Sequence, residues 1–439
     1  VDSSIRFLHT ADLHIGRPFT GICELDSLWR ERIVNATRSA FDTLCDYAIK
    51  NKVDFVLVSG DVFDTVSAEY SSYALFFDGL KRLSHESIHT YICAGNHDPY
   101  SSWKPSFFSE SAFIHIMEAK QPSYFVHYRN GQPLCYIAGR SYKTNAWDSI
   151  EPIINGLMYQ EIKQNACATS SECATCIEEN IPAIALVHTS LNKGESQRYA
   201  PLKITQLQAS GVSYWALGHI HAFECFSNDH GVFAAFPGCL QGGDIGECGD
   251  KGFVDVTMPY PQYVPHVTFV PASPLCWEEC MLDVTHCETL DAVQQCVEDA
   301  CTCSLSQHRS DYLVARVCLT GITPLYKELN SLATRKALRE EINRHMAGVL
   351  VFELVNKTIL EKGDILAPSH DTFLYYLVQK ADALAETPDD VRSTLKAWCE
   401  DKDDATIFTS YLDSCTDQEL KELISAAKDQ VVRNLLYPA

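Results

Sequence analysis

The chain has 439 residues, 46% of them hydrophobic and 21% charged, the balance of a folded globular protein and not of a disordered or fibrous one. No apolar run approaches the roughly 18 residues that cross a bilayer, and the stretch VDSSIRFLHTADLH lacks a basic head followed by an apolar segment, so a cytoplasmic protein with no membrane association is expected. The net charge of −22 is unevenly spread, with 14 Lys+Arg against 17 Asp+Glu in residues 1–150 and 21 against 40 beyond; a polyanionic partner of the first part is therefore not excluded.

The length predicts two or three domains. In chain order, apolar runs at Ile5–Thr10, Phe55–Val58, His89–Cys93, Leu134–Ala138, Ala183–Val187 and Tyr214–Leu217 read as strands. Between the first two, Ile33, Ala36, Ala40 and Leu44 recur at helical spacing, and SAEYSSYALFFDGLKRL reads as a second helix. Alternation of this kind implies a layered α/β domain over residues 1–270. The proline-rich MPYPQYVPHVTFVPASP marks its end. Beyond it, strand Trp277–Val284, helix Leu290–Cys301, strand Tyr312–Leu319, helix Pro324–Met346 and strand Val349–Leu354 form a βαβαβ unit, placing a small domain at 271–360. Residues 361–439 read as an acidic helical region suited to docking a partner. The nineteen cysteines read mostly as buried apolar residues of a reduced compartment. Cys167, Cys173 and Cys176 cluster in one loop but lack a fourth ligand at a recognised spacing.

Five polar clusters each follow directly on an apolar strand: Asp12-Leu13-His14, Gly60-Asp61-Val62-Phe63-Asp64, Gly95-Asn96-His97-Asp98, His188, and Gly218-His219-Ile220-His221. Loops at one edge of a sheet bring distant segments together on a rigid frame. In extended chain, residues i and i+2 point the same way, so Asp12 and His14 can reach one ion, and His219 and His221 can line one wall. Asp12, His14, Asp61, Asn96, His188, His219 and His221 pool hard oxygen and borderline nitrogen donors without a thiolate, a set suited to Mn, Fe, Zn, Co or Ni. Seven donors are too many for one ion and sensible for two divalent cations bridged by a carboxylate. A neutral amide at Asn96 keeps the pair net positive, able to attract a phosphodiester. His97, with Asp64 orienting it, is positioned to protonate a leaving oxygen. His9, His85, His89, His115 and His127 read as structural.

The ordered set D-x-H, GD-x-x-D, GNHD, H and GH-x-H resembles the calcineurin-like metallophosphoesterase superfamily. Within it, FLHTADLHIGRPF, VSGDVFDT, AGNHDP, VHTSL and YWALGHIHAFE are similar to the SbcD-type DNA repair exonucleases, especially the YhaO-like branch. The resemblance implies a four-layer αββα sandwich, with the βαβαβ unit in the place of that family's capping domain and a C-terminal helical segment after it. It implies that Asp12, His14, Asp61 and His221 hold one ion, that Asp61, Asn96, His188 and His219 hold the other, and that His97 with Asp64 assists departure of the 3′ oxygen. It implies Mn(II)-dependent hydrolysis of DNA by a 3′→5′ exonuclease and single-strand endonuclease, a homodimer with its contact sought near residues 28–50 and 67–84, and an SMC-type coiled-coil ATPase partner of the SbcC kind. Where relatives carry Gly-Arg-His after the Gln, this chain reads Gln241-Gly242-Gly243-Asp244, which removes two donor groups from the phosphate path. Arg17, Arg140, Tyr142 and Lys251 remain as candidate substrate contacts. Two other readings fit the same residues: a metallophosphatase or cyclic-nucleotide phosphodiesterase acting on a small substrate, and a non-enzymatic scaffold that tethers DNA ends or regulates an ATPase.

Overall fold

The computed structural model describes residues 4–19, 25–107, 111–147, 149–169, 181–191, 199–359, 373–399 and 405–436. Its first elements are strand β1 (Ile5–Thr10), helix α1 (Ser27–Asn51), β2 (Phe55–Ser59), α2 (Tyr70–His85), β3 (His89–Cys93) and β4 (Ile114–Ile116). There follow β5 (Ser123–Arg129), β6 (Gln132–Gly139), α3 (Tyr159–Thr169), β7 (Ala183–His188), α4 (Ile204–Gln208), β8 (Tyr214–Gly218), β9 (Glu224–Asn228), β10 (Gly231–Phe236), β11 (Gly252–Met258) and β12 (His266–Pro271). The strands form two six-stranded mixed sheets, ordered β12-β11-β1-β2-β3-β4 and β5-β6-β7-β8-β10-β9.

The continuous apolar character of the central strands has a direct cause: both faces are buried. Phe55 and Leu57 face a core shared with Ile137, Ile184, Leu186, Tyr214 and Ala216 of the other sheet, while Val56 and Val58 pack with Phe41, Leu44, Phe76 and Leu80 of α1 and α2. On the opposite sheet, Ala183, Ala185 and Val187 alternate outward toward Ile162 and Ala166 of α3. The period of two thus produces helix, sheet, sheet and helix layers, the metallophosphoesterase sandwich implied above. Helix α1 begins at Asp26, whose carboxylate accepts from Trp29 N at 2.8 Å.

The chain divides into two compact units, one comprising Val1–Cys280, Glu298–Arg316 and Asn343–Glu353, the other Met281–Val297, Val317–Ile342 and Leu354–Ala439. A third sheet, β13-β14-β15, is built from β13 (Leu275–Asp283), β14 (Tyr312–Thr320) and β15 (Val349–Asn356), with α5 (Leu290–Gln307), α6 (Tyr326–Asn330) and α7 (Leu332–His345) between them. In the first unit, Leu275, Trp277, Val314 and Leu350 pack on Trp29, Ile33 and Ala36 of α1. The helix expected over Pro324–Met346 is broken at Ser331, which takes extended backbone angles and whose hydroxyl accepts from Thr334 N at 3.4 Å, so it caps a new helix. Four helices close the second unit: α8 (Phe373–Ala385), α9 (Pro388–Cys399), α10 (Ala405–Ser414) and α11 (Asp417–Leu436). Among the described residues, no helix is long and apolar enough to cross a membrane.

Candidate metal centre

Strands β1, β2 and β3 run parallel, as do β7 and β8, so the carboxyl ends of each set gather on one edge. The two edges are stitched together. Ser59 Oγ donates to Ala216 O at 3.0 Å, and His219 N donates to the Asp12 carboxylate at 3.0 and 3.1 Å. The turns leaving these strands are tight, and Asp12, His14, Asp61 and His219 all have positive φ (52°, 44°, 50° and 105°). Non-glycine residues held there carry strain of about 1–3 kcal/mol each, and such strain concentrates at functional sites. Gly60 and Gly95 permit the crowding: a Cβ on Gly60 would lie 2.4 Å from His188 Nδ1, and one on Gly95 would lie 2.1 Å from Asp61 Oδ1.

Donor atoms from the carboxyl ends of five strands converge here. His14 Nε2 lies 3.2 Å from His221 Nε2, which is 3.8 Å from Asp12 Oδ1. Side-chain donors of Asp12, His14 and His221 lie within 4.8 Å of one another, as do those of Asp61, His188 and His219. Asp61 joins the two groups: its Oδ2 is 3.3 Å from His188 Nε2 and 3.9 Å from His14 Nε2. Asn96 Oδ1 is 3.0 Å from His188 Nε2, and His188 Nδ1 is 2.9 Å from Ser59 O. With Nδ1 held by a carbonyl, Nε2 is the nitrogen left to act as ligand.

Asp12 and Asp61 are almost wholly buried. Burial alone would neutralise the Asp61 carboxyl, but the imidazoles of His188 and His14 hold it well below the usual range. Burial disfavours the His188 cation, yet the Asp61 carboxylate outweighs it and raises His188 to about 9. Two buried carboxylates ringed by imidazoles, an amide oxygen and no thiolate fit a pair of divalent cations. Cys239 lies near His221 and Glu247, but burial pushes its thiol up and keeps it neutral.

Two anchors lay outside the expected donor set. Glu247 Oε1 sits 2.5 Å from His221 Nδ1, and its Oε2 accepts from Gly243 N at 2.7 Å. It fixes His221 in the manner of a carboxylate behind a metal-bound histidine, and burial is overcome by His221 and Arg17 to bring it to about 2. Asp98 is fully buried and ties two loops together, its Oδ2 accepting from Val62 N and Phe63 N and its Oδ1 from Gly95 N.

Other candidates are placed differently from expectation. His97 Nδ1 meets Asp64 through the backbone carbonyl, at 2.9 Å, while the Asp64 carboxylate turns to His14 Nδ1 at 3.1 Å. The side-chain pair expected between His97 and Asp64 is therefore replaced, because His14 competes for the carboxylate; the His97 ring packs edge-on to His14 at 4.9 Å. Arg17 is engaged internally, by Asp244 and Glu247 at 2.7 Å each, so Asp244 does not merely delete a donor but takes hold of one. Tyr142 is fully buried against His188 and cannot face a substrate. The Arg140 guanidinium donates to Ala119 O and Lys120 O and stacks over Trp147. Lys251 leads into β11, its backbone N donating to Ser273 Oγ at 3.1 Å. His89, His115 and His127 form a packed ring cluster, and His9 Nδ1 meets the Tyr214 hydroxyl at 2.9 Å. Cys167 is buried at 3.7 Å from the Tyr136 hydroxyl; Cys173 and Cys176 lie outside the described residues.

Calcineurin-like phosphoesterases as a family match residues 5–223, and the middle domain of the metallophosphoesterase YhaO matches residues 277–362. The uncharacterized metallophosphoesterase YhaO of Bacillus subtilis (strain 168) is 29% identical over 331 residues, 73% of each chain. The SbcD subunit of nuclease SbcCD from Escherichia coli (strain K12) is 27% identical over 275 residues, 57% of this chain and 64% of that one. DNA double-strand break repair protein Mre11 of Sulfurisphaera tokodaii is 27% identical over 234 residues, 52% of each.

Proposed function

The chain belongs to the calcineurin-like metallophosphoesterases, and from that premise we propose that it hydrolyses phosphodiester bonds of DNA, as a 3′→5′ exonuclease and single-strand endonuclease in repair. The observation that carries this reading is the position of Asp61, whose Oδ2 is within 4 Å of both His188 Nε2 and His14 Nε2. In this reading Asp12, His14, Asp61 and His221 hold one cation, Asp61, Asn96, His188 and His219 hold the other, and Asp61 is shared. The resemblance favours Mn(II); Fe, Zn, Co and Ni suit the same donors. When bound, such a pair supplies Lewis-acid stabilisation of a phosphate oxyanion and acidifies a water.

The chain's own residues do the rest. Glu247 and the Ser59 carbonyl lock the tautomers of His221 and His188, so no reorientation is needed when charge develops. His97 is exposed and its Nδ1–H is committed to the Asp64 carbonyl, leaving Nε2 to carry a proton to the departing oxygen. The Asp64 carboxylate supports that step indirectly, through His14.

Similarity to one component of a nuclease and to a double-strand break repair protein supports DNA as substrate. The first of these is named as part of a larger enzyme, which supports a partner; we assign an SMC-type coiled-coil ATPase, with the chain acting as a cytoplasmic homodimer whose contact is sought on α1 and α2. Purified protein with Mn(II) and an end-labelled duplex tests the substrate. Release of mononucleotides from the 3′ end supports the proposal. Robust turnover of p-nitrophenyl phosphate with the duplex untouched would transfer the site to small phosphate esters.

A further inference from the structure

A second donor cluster in the first unit shares no ligand with the centre above. An isolated antiparallel bridge pairs Gly249 with Trp277, Gly249 N donating to Trp277 O at 3.0 Å. The flanking residues then oppose one another as Asp250 with Cys276 and Cys248 with Glu278. Asp250, Glu278 and Cys248 are all close enough to act electrostatically on the Cys276 thiol, although the Cys248 thiol itself turns to Ile245 O at 3.1 Å. His308, the residue after α5, joins them, with Nδ1 3.3 Å from Asp250 Oδ1 and Nε2 3.4 Å from Glu278 Oε2. Donor atoms of Asp250, Cys276 and His308 lie within 4.8 Å of one another. The Asp250 carboxylate is held by Arg309 N at 3.2 and 3.3 Å. Cys276 is fully buried, and burial together with the Asp250 and Glu278 carboxylates pushes its thiol up.

An imidazolium between two carboxylates would balance the charge of His308 but would give no role to the buried thiol beside it. We propose that Asp250 Oδ1, Cys276 Sγ and His308 Nδ1 bind a structural zinc ion, with Cys248 brought in by side-chain rotation as fourth ligand. Glu278 then accepts the Nε2–H of His308 and fixes its ring, the outer-sphere carboxylate that metal-bound histidines commonly carry. Each thiol that ligates releases its proton to solvent. Mixed thiolate, imidazole and carboxylate ligation selects zinc, whereas the phosphoesterase centre offers no sulfur. The ion would tie the 248–250 segment, β13 and the end of α5 into one piece.

Cobalt(II) distinguishes the two sites, because only thiolate ligation produces an intense near-ultraviolet sulfur-to-metal absorption. Reduced full-length protein, stripped with chelator and titrated with Co(II), is expected to develop that band while also filling the sulfur-free phosphoesterase centre, and to lose it when zinc is added. C276S, left with the Cys248 thiolate alone, is expected to show a strongly diminished band. E278Q is expected to keep it but bind about 10- to 100-fold more weakly, and it serves where C276S fails to fold. Wild-type protein that takes up Co(II) without the band, a band undiminished in folded C276S, or unchanged affinity in E278Q overturns the site. None of these readings depends on turnover, so they stand apart from the substrate proposal.

Discussion

Substituting Gly60 by Ala tests whether the centre depends on the close approach of two loops. Gly60 has φ +92°, where an L side chain carries about 1–2 kcal/mol of strain. Its new Cβ would lie 2.4, 2.9 and 3.0 Å from Nδ1, Cγ and Cβ of His188. That ring has no retreat: it is fully buried, with Nδ1 2.9 Å from Ser59 O and Nε2 3.0 Å from Asn96 Oδ1. Overpacking of this kind adds about 1–3 kcal/mol, so the total is about 2–5 kcal/mol. Gly131, in the turn between β5 and β6, provides the control: φ is +75° and a Cβ there meets nothing within 4 Å, so Gly131→Ala carries strain alone. Urea unfolding in the presence of chelator should place Gly60→Ala about 1–3 kcal/mol below Gly131→Ala. Calorimetric titration with Mn(II) should show binding weakened at least about 10-fold in Gly60→Ala and unchanged in Gly131→Ala. Equal unfolding midpoints would refute the contact, and undiminished Mn(II) binding by a destabilised Gly60→Ala would remove His188 from the ligand set.

Replacing Glu247 by Gln should cost about 10- to 100-fold in metal affinity, because His221 loses the carboxylate on Nδ1; elemental analysis after dialysis against graded chelator reads this directly. His97→Ala should retain both ions and lose about 10²- to 10⁴-fold in turnover, whereas Asp61→Ala should lose the ions together; retained metal in the latter would break the shared-ligand reading. Acid should destabilise the fold through the histidine cluster. Burial, and for each a neighbouring imidazole, lowers His115 to about 4 and His127 to about 3. The unfolded chain therefore binds more protons below about pH 6.5, so this contribution is intact at neutral pH and is lost as pH falls, by about 1.4 kcal/mol per unit for each histidine. His127→Gln should flatten the fall in urea midpoint between pH 7 and pH 5.5; an unchanged slope would discard it.

Strands β1, β2, β3, β6, β7 and β8 were legible from their residues because their burial writes an uninterrupted apolar run, and every polar cluster begins where such a run stops; β10 and β11, also interior and largely buried, were not among the expected strands. Asp12, His14, Asp61, Asn96, His219 and His221 could be singled out as candidates for the same reason: each lies in a segment whose position the strand before it dictates, and His188 closes β7 itself. Edge strands such as β9, with mostly exposed residues, and β12, embedded among prolines, left no comparable pattern. The single helix expected over Pro324–Met346 failed at Ser331, where a local cap outweighed helical periodicity. What the chain alone could not decide was pairing. Whether His97 meets the carboxylate or the carbonyl of Asp64 depends on His14, fifty residues away in sequence, taking the carboxylate first. Arg17 was a candidate substrate contact until folding brought it to Asp244 and Glu247, more than two hundred positions distant. Local hydrophobic pattern specifies elements through short-range burial, but a charged side chain takes whichever partner the packed layers deliver to it, and only the tertiary structure determines that.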